Sequence, residues 1–65
     1  MFAEIFADLV LAMKAQNKKE IESIYNTLAR AGMDRMTVNI LLRDREIQIE
    51  IMKELKRRKD NVSEV

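Results

Sequence analysis

We predict an all-α fold, with two short helices and one long C-terminal helix, from three features of this sequence. The 65 residues include no proline and one glycine, and Ala, Leu, Met, Glu, Lys and Arg are abundant, which favours helix. Apolar residues recur at three- and four-residue steps, the spacing of one helix face. Helix-capping residues separate these stretches. The length indicates one helical domain over residues 1–65.

The first two helices are bounded by local signals. We predict the first over residues 2–16 and the second over residues 18–31. Asn17 and Glu20 have the spacing of a capping box, which starts the second helix. Gly32 ends it, because glycine adopts a left-handed C-terminal cap without strain. The apolar stripes of these helices consist of Phe2, Ile5, Phe6, Leu9, Met13, Ile21, Ile24, Tyr25 and Leu28.

We predict a long third helix over residues 35–59, capped by Asp34 and followed by a frayed tail over residues 60–65. Within it, M-T-V-N-I and I-Q-I-E-I alternate apolar and polar residues, so a β-hairpin is the alternative. The intervening R-D-R-E has no Gly, Asn or Pro to form a tight turn, and this favours helix. On a helical wheel the apolar residues cover roughly two-thirds of the circumference, more than a surface helix requires.

This wide apolar arc predicts a homodimeric helical bundle. A domain of this size is only marginally stable alone, and the sequence has no cysteine for a disulfide. Two short helices can cover one flank of the long helix, and a second copy would cover the other. The predicted oligomer interface consists of Val38, Ile40, Leu42, Ile47, Ile49, Ile51, Met52 and Leu55.

Four polar residues, Thr37, Asp44, Arg45 and Gln48, interrupt the arc. One interpretation is that Asp44 pairs with the partner's Arg45 and fixes the register of the dimer. The other is that all four lie in solvent at the edge of the arc.

The residue types favour a protein that is not an enzyme and binds no cofactor or metal. Without His or Cys, the common nucleophiles and metal ligands are missing, and one glycine cannot form a phosphate-binding loop. Glu46, Glu50 and Glu54 follow one helix face and are the single arrangement that suggests a divalent cation. Solvated helices commonly carry such acids, so we predict no catalytic residue, no cofactor and no metal site.

Nucleic-acid binding is a second possibility. Ala31-Gly32-Met33-Asp34-Arg35-Met36-Thr37-Val38 resembles the helix-turn-helix of bacterial repressors. The family has a small residue where Leu28 stands, and a shorter second helix. The resemblance implies a dimeric DNA-binding regulator that reads the major groove through residues 34–43. A basic cluster near the end of the long helix could contact phosphates, although the net charge is only +1. The candidate nucleic-acid contacts are Arg35, Thr37, Asn39, Arg43, Lys56, Arg57, Arg58 and Lys59.

Together these features predict a small non-enzymatic regulator or adaptor that acts through helix-mediated protein contacts. Because it lacks cysteine, we expect a cytoplasmic location. Glu4 and Asp8 interrupt the apolar N-terminus and no basic segment precedes it, so we expect neither a signal peptide nor membrane binding. The initial methionine suggests a complete small gene product.

Overall fold

The computed structural model describes residues 2–62 and shows four helices there. These are α1 (Ala3–Lys14), α2 (Lys18–Arg30), α3 (Arg35–Arg43) and α4 (Arg45–Val62). The all-α prediction is confirmed, since this part of the chain contains no strand, and the hairpin alternative is wrong. The predicted frayed tail overlaps the end of α4, which includes residues 60–62. Its last three residues, 63–65, lie outside the described part.

The turn between α1 and α2 forms near its predicted position. Gln16 has a left-handed backbone, with φ of 54°. This conformation lets the Asn17 amide donate to the Ala12 carbonyl at 3.0 Å, which closes the end of α1. The Asn17 side chain then accepts from the Glu20 amide at 3.2 Å, as the capping pattern predicts.

The connection from α2 to α3 also follows local chemistry. Gly32 has φ of 94°, and the Met33 amide donates to the Leu28 carbonyl at 2.9 Å. Asp34 accepts from the Thr37 amide at 2.8 Å and so caps α3. Hydrogen bonds from Thr37 lower the pKa of the Asp34 carboxyl below its ordinary value. The two helices are joined by a short turn of residues 31–34.

The prediction of one long helix over residues 35–59 is wrong, because the chain breaks at Asp44. Asp44 has an extended backbone with ψ of 129°, and its carboxylate accepts from the amides of Glu46 at 2.9 Å and Ile47 at 3.2 Å. Gln48 Nε2 donates to the Leu42 carbonyl at 3.0 Å and satisfies the end of α3. Two of the polar residues that interrupt the arc therefore cap the two helices that meet there.

The core forms where α1 packs against both α2 and α4. The break at Asp44 also lets α3 pack against α4. The buried apolar residues are Phe6, Ala7, Leu9, Ala12, Ile24, Tyr25, Leu28, Val38 and Ile51. Within residues 2–62, no helix is both long and apolar enough to cross a membrane.

Candidate interaction surfaces

The carboxylates do not form a metal site in the described part of the chain. No group of three or more Asp and Glu residues there is arranged to hold an ion. The row formed by Glu46, Glu50 and Glu54 is interrupted because Glu54 is paired with arginines. Among residues 2–60, every buried side-chain nitrogen and oxygen has a hydrogen-bond partner.

Glu54 is the centre of a charged link between α4 and α1. Although it is a carboxylate, its side chain is almost fully buried, and the residue is 8% exposed. Arg57 donates to Glu54 through Nε at 3.0 Å and Nη2 at 2.9 Å. Arg58 Nε donates to it at 2.8 Å, and Arg58 Nη1 reaches Asp8 on α1 at 2.6 Å. Hydrogen bonds from Arg57 and Arg58 lower the pKa of Glu54.

The eight residues predicted for the oligomer interface fall into three groups. Val38 and Ile51 are buried in the core of the single chain. A second group is half-buried and packs against that core: Leu42, Ile47 and Leu55. The third group is exposed: Ile40 at 63%, Ile49 at 48% and Met52 at 68%. The surface available to a partner is therefore narrower than the predicted interface.

Ile49 and Met52 form an exposed apolar strip on α4, which we call the α4 strip. A shallow concavity surrounds it, lined by Arg45, Gln48, Ile49, Met52, Lys53 and Lys56. A neighbouring groove shares Gln48 and Met52 with this concavity. The remaining residues of that groove come from α1, α3 and α4: Val10, Met13, Lys14, Leu42, Ile51 and Leu55.

Met36 and Ile40 form a second exposed apolar strip, the α3 strip. They are 71% and 63% exposed and lie four residues apart, on one side of α3. This is the helix that the helix-turn-helix resemblance assigns to DNA reading. All four of its predicted contact residues are exposed: Arg35, Thr37, Asn39 and Arg43.

Two of those four residues are bonded to α2. Arg35 Nη2 donates to Glu22 at 2.6 Å, and its guanidinium lies 4.5 Å from the centroid of the Tyr25 ring. The hydrogen bond to Glu22 raises the pKa of Arg35. Tyr25 Oη donates to Asn39 Oδ1 at 3.1 Å. Arg35 and Asn39 thus help to attach α3 to α2.

The four basic residues near the end of α4 also fall into two groups, those that form ion pairs and those that do not. Arg57 and Arg58 form ion pairs with the carboxylates of α1 and α4. Lys56 and Lys59 are exposed and make no ion pair within residues 2–62. Of the eight candidate nucleic-acid contacts, the charged residues that make no ion pair within residues 2–62 are Arg43, Lys56 and Lys59, while Thr37 hydrogen-bonds to Asp34.

The charged link was not predicted as such. The spacing of Glu54 to Arg57 and Arg58 gives a signal for pairing within one helix. No sequence pattern indicates that Asp8 lies beside Arg58, because that contact depends on how α1 packs against α4.

Comparison of the chain with models of known protein families, with curated proteins and with solved structures found no match.

Proposed function

We propose that this chain is a small non-catalytic intracellular module that acts through helix-mediated protein–protein contact, as a homo-oligomer. The observation that supports this most directly is the exposure of Met36, Ile40 and Met52, which are 71%, 63% and 68% exposed. Burying one such side chain fully is worth about 1.5–3 kcal/mol. A chain of this size therefore gains considerably from covering them with protein.

The arrangement of polar groups supports a binding role over a catalytic one. Glu54, the most buried carboxylate of the described residues, accepts hydrogen bonds from two arginines, which stabilise its ionised form within the fold. The Tyr25 hydroxyl donates to Asn39. These polar groups hold helices together or stabilise a helix end. The surfaces left to contact a partner are therefore the exposed α3 strip and α4 strip.

Sedimentation over a wide range of protein concentration tests the proposal. We expect a mass above that of the monomer that decreases on dilution. Met52→Asp removes exposed apolar surface and should shift the protein to monomer with unchanged helicity by circular dichroism. Lys19→Gln, an exposed change on α2, is the matched control. A folded monomer at every concentration would overturn the proposal.

DNA binding is the second candidate, and the break at Asp44 supports it. Because of that break α3 has 9 residues, so the helix after the turn is short, as in helix-turn-helix proteins. Arg43 lies at the end of α3 and makes no ion pair within residues 2–62. The exposed Met36 and Ile40 are apolar for a surface that faces a major groove, and this favours the protein-contact proposal.

Fluorescence anisotropy with a random duplex across a salt series tests the second candidate. Phosphate contacts release counterions, so affinity should be highest at low salt. Arg43→Gln and Lys56→Gln are the informative variants, since neither side chain makes an ion pair within the described chain, whereas Arg57 and Arg58 do. Absence of binding at the lowest salt would eliminate this candidate.

A further inference from the structure

The exposed side of α4 has the pattern of a helix-pairing seam. Arg45, Ile49, Met52 and Lys56 follow one another at steps of four, three and four residues, which is the spacing of the contact positions in paired helices. Ile49 and Met52 occupy the middle and are exposed. The concavity around them is lined by residues of α4 alone, so a second helix can approach it directly.

One side of the seam carries an acidic residue near the start of α4 and a basic residue further along. These are Glu46 and Lys53, which lie one heptad apart on the same side of the helix. Both side chains are exposed, and neither makes an ion pair with any other residue from 2 to 62. The neighbouring carboxylate Glu54 differs, because it is fully occupied by Arg57 and Arg58.

We propose that two copies of this chain pair through α4 in antiparallel orientation, about a two-fold axis that passes between Ile49 and Met52. In this arrangement Ile49 of each copy packs against the partner's Met52. Glu46 of each copy lies beside the partner's Lys53, and the symmetry forms this ion pair twice. This inference rests on the proposed self-association and specifies its surface and orientation.

The charge pattern favours antiparallel over parallel pairing. In a parallel pair, the flank that carries Glu46 and Lys53 in one copy would face the opposite flank of the partner. Lys53 would then lie beside the partner's neutral Gln48, and Glu46 would have no basic residue beside it. In the antiparallel arrangement the flank with Glu46 and Lys53 faces the same flank of the partner. Arg45 then approaches the partner's Lys56 at the open ends of the seam. There both charged groups can reach water while their aliphatic stems cover the apolar strip.

The size of the seam predicts a dimer that dissociates on dilution. From Arg45 to Lys56 the seam runs roughly 17 Å at the rise of an α-helix, which places the contact at the small end of specific interfaces. The groove that shares Met52 with the seam adds apolar surface from Val10 and Met13 of α1. Self-association should therefore respond measurably to one change of charge.

A charge exchange tests the orientation. Glu46→Lys places two lysines beside each other at both ends of the symmetric pair, and Lys53→Glu does the same with two glutamates. We expect each variant alone to dimerise about tenfold more weakly than the wild-type chain. Mixed in equal amounts, the two variants should form a heterodimer. In it the Glu46→Lys chain presents two lysines and the Lys53→Glu chain presents two glutamates, so each lysine lies beside a glutamate of the other chain. Lys19→Glu, a charge change on α2, should leave the dimer unaffected.

The outcomes separate this inference from the proposed function. A wild-type chain that stays monomeric would remove both. If Glu46→Lys dimerised as tightly as the wild-type chain, or if the two variants did not rescue each other, the antiparallel α4 seam would be overturned and self-association would stand.

Because the chain has no cysteine, a spin label at Lys59→Cys measures the distance between the two copies independently. Antiparallel pairing predicts a separation along the axis of roughly 25 Å, whereas labels side by side would overturn the proposal.

Discussion

Arg58 and Asp8 join the two ends of the described chain: Arg58 Nη1 on α4 donates to Asp8 Oδ1 on α1 at 2.6 Å. The same guanidinium donates to the Glu4 carbonyl at 3.1 Å through Nη2 and to Glu54 at 2.8 Å through Nε. One side chain therefore satisfies a backbone oxygen and two carboxylates. The contact fixes the end of α4 against the start of α1, beyond the apolar core.

We expect Arg58→Gln to lower the free energy of unfolding by about 1 kcal/mol. The loss is modest because Asp8 is half exposed and water screens its ion pair. Urea denaturation followed by circular dichroism measures it. Lys59→Gln, an exposed change at the next residue, should stay within about 0.5 kcal/mol of wild type. Equal losses in the two variants would contradict a specific role for Arg58.

The lowered pKa of Glu54 predicts that stability depends on pH. The carboxyl has an ordinary pKa of 4.5 and a lower one in the folded chain, because Arg57 and Arg58 donate to its ionised form. Its stabilising effect is therefore complete above the ordinary pKa and is lost as the pH falls through the lowered value. Urea midpoints measured from neutral pH to about pH 3 should fall less steeply for Glu54→Gln than for wild type. Parallel profiles would contradict this.

The break at Asp44 shows what helical periodicity cannot predict. The ends of α1 and α2 lie within two residues of their predicted positions, because capping residues and Gly32 act on their immediate neighbours. The segment around Asp44 contains neither glycine nor proline, so propensity favoured a continuous helix. The signal was present in Asp44 and Gln48, polar residues within an apolar arc. Their polar character is explained because Asp44 caps the start of α4 and Gln48 caps the end of α3.

Removing the cap tests why the chain breaks there. Asp44→Ala deletes the acceptor for the amides of Glu46 and Ile47 and should lower the free energy of unfolding by about 1 kcal/mol. Asp44→Ser keeps a side-chain oxygen in reach of the same amides and should retain most of the stability. Chemical denaturation of the two variants compares them. If serine proved as damaging as alanine, the capping explanation would be wrong.

The candidate surfaces were predictable only in part for a related reason. A helical wheel identifies Ile49, Ile51 and Met52 as apolar, but it does not say which flank the other helices cover. The packing of α1 against α4 buries Ile51 and leaves Ile49 and Met52 exposed. Similarly, the basic residues near the end of α4 look alike in sequence. The roles of Arg57 and Arg58 differ from those of the lysines because carboxylates of α1 and α4 reach them.

The two left-handed turn residues predict changes of opposite sign. Gln16 has φ of 54°, a conformation that costs a residue with a side chain about 1–2 kcal/mol. Glycine avoids that cost but gains freedom in the unfolded chain, so Gln16→Gly should raise the free energy of unfolding by about 0.5 kcal/mol. Gly32 has φ of 94°, and a Cβ there would meet no atom within 4 Å. Gly32→Ala should therefore lower stability by about 1 kcal/mol through backbone strain alone. Denaturant unfolding of both variants provides the measurement, and a loss on Gln16→Gly would show that the Gln16 side chain stabilises its turn.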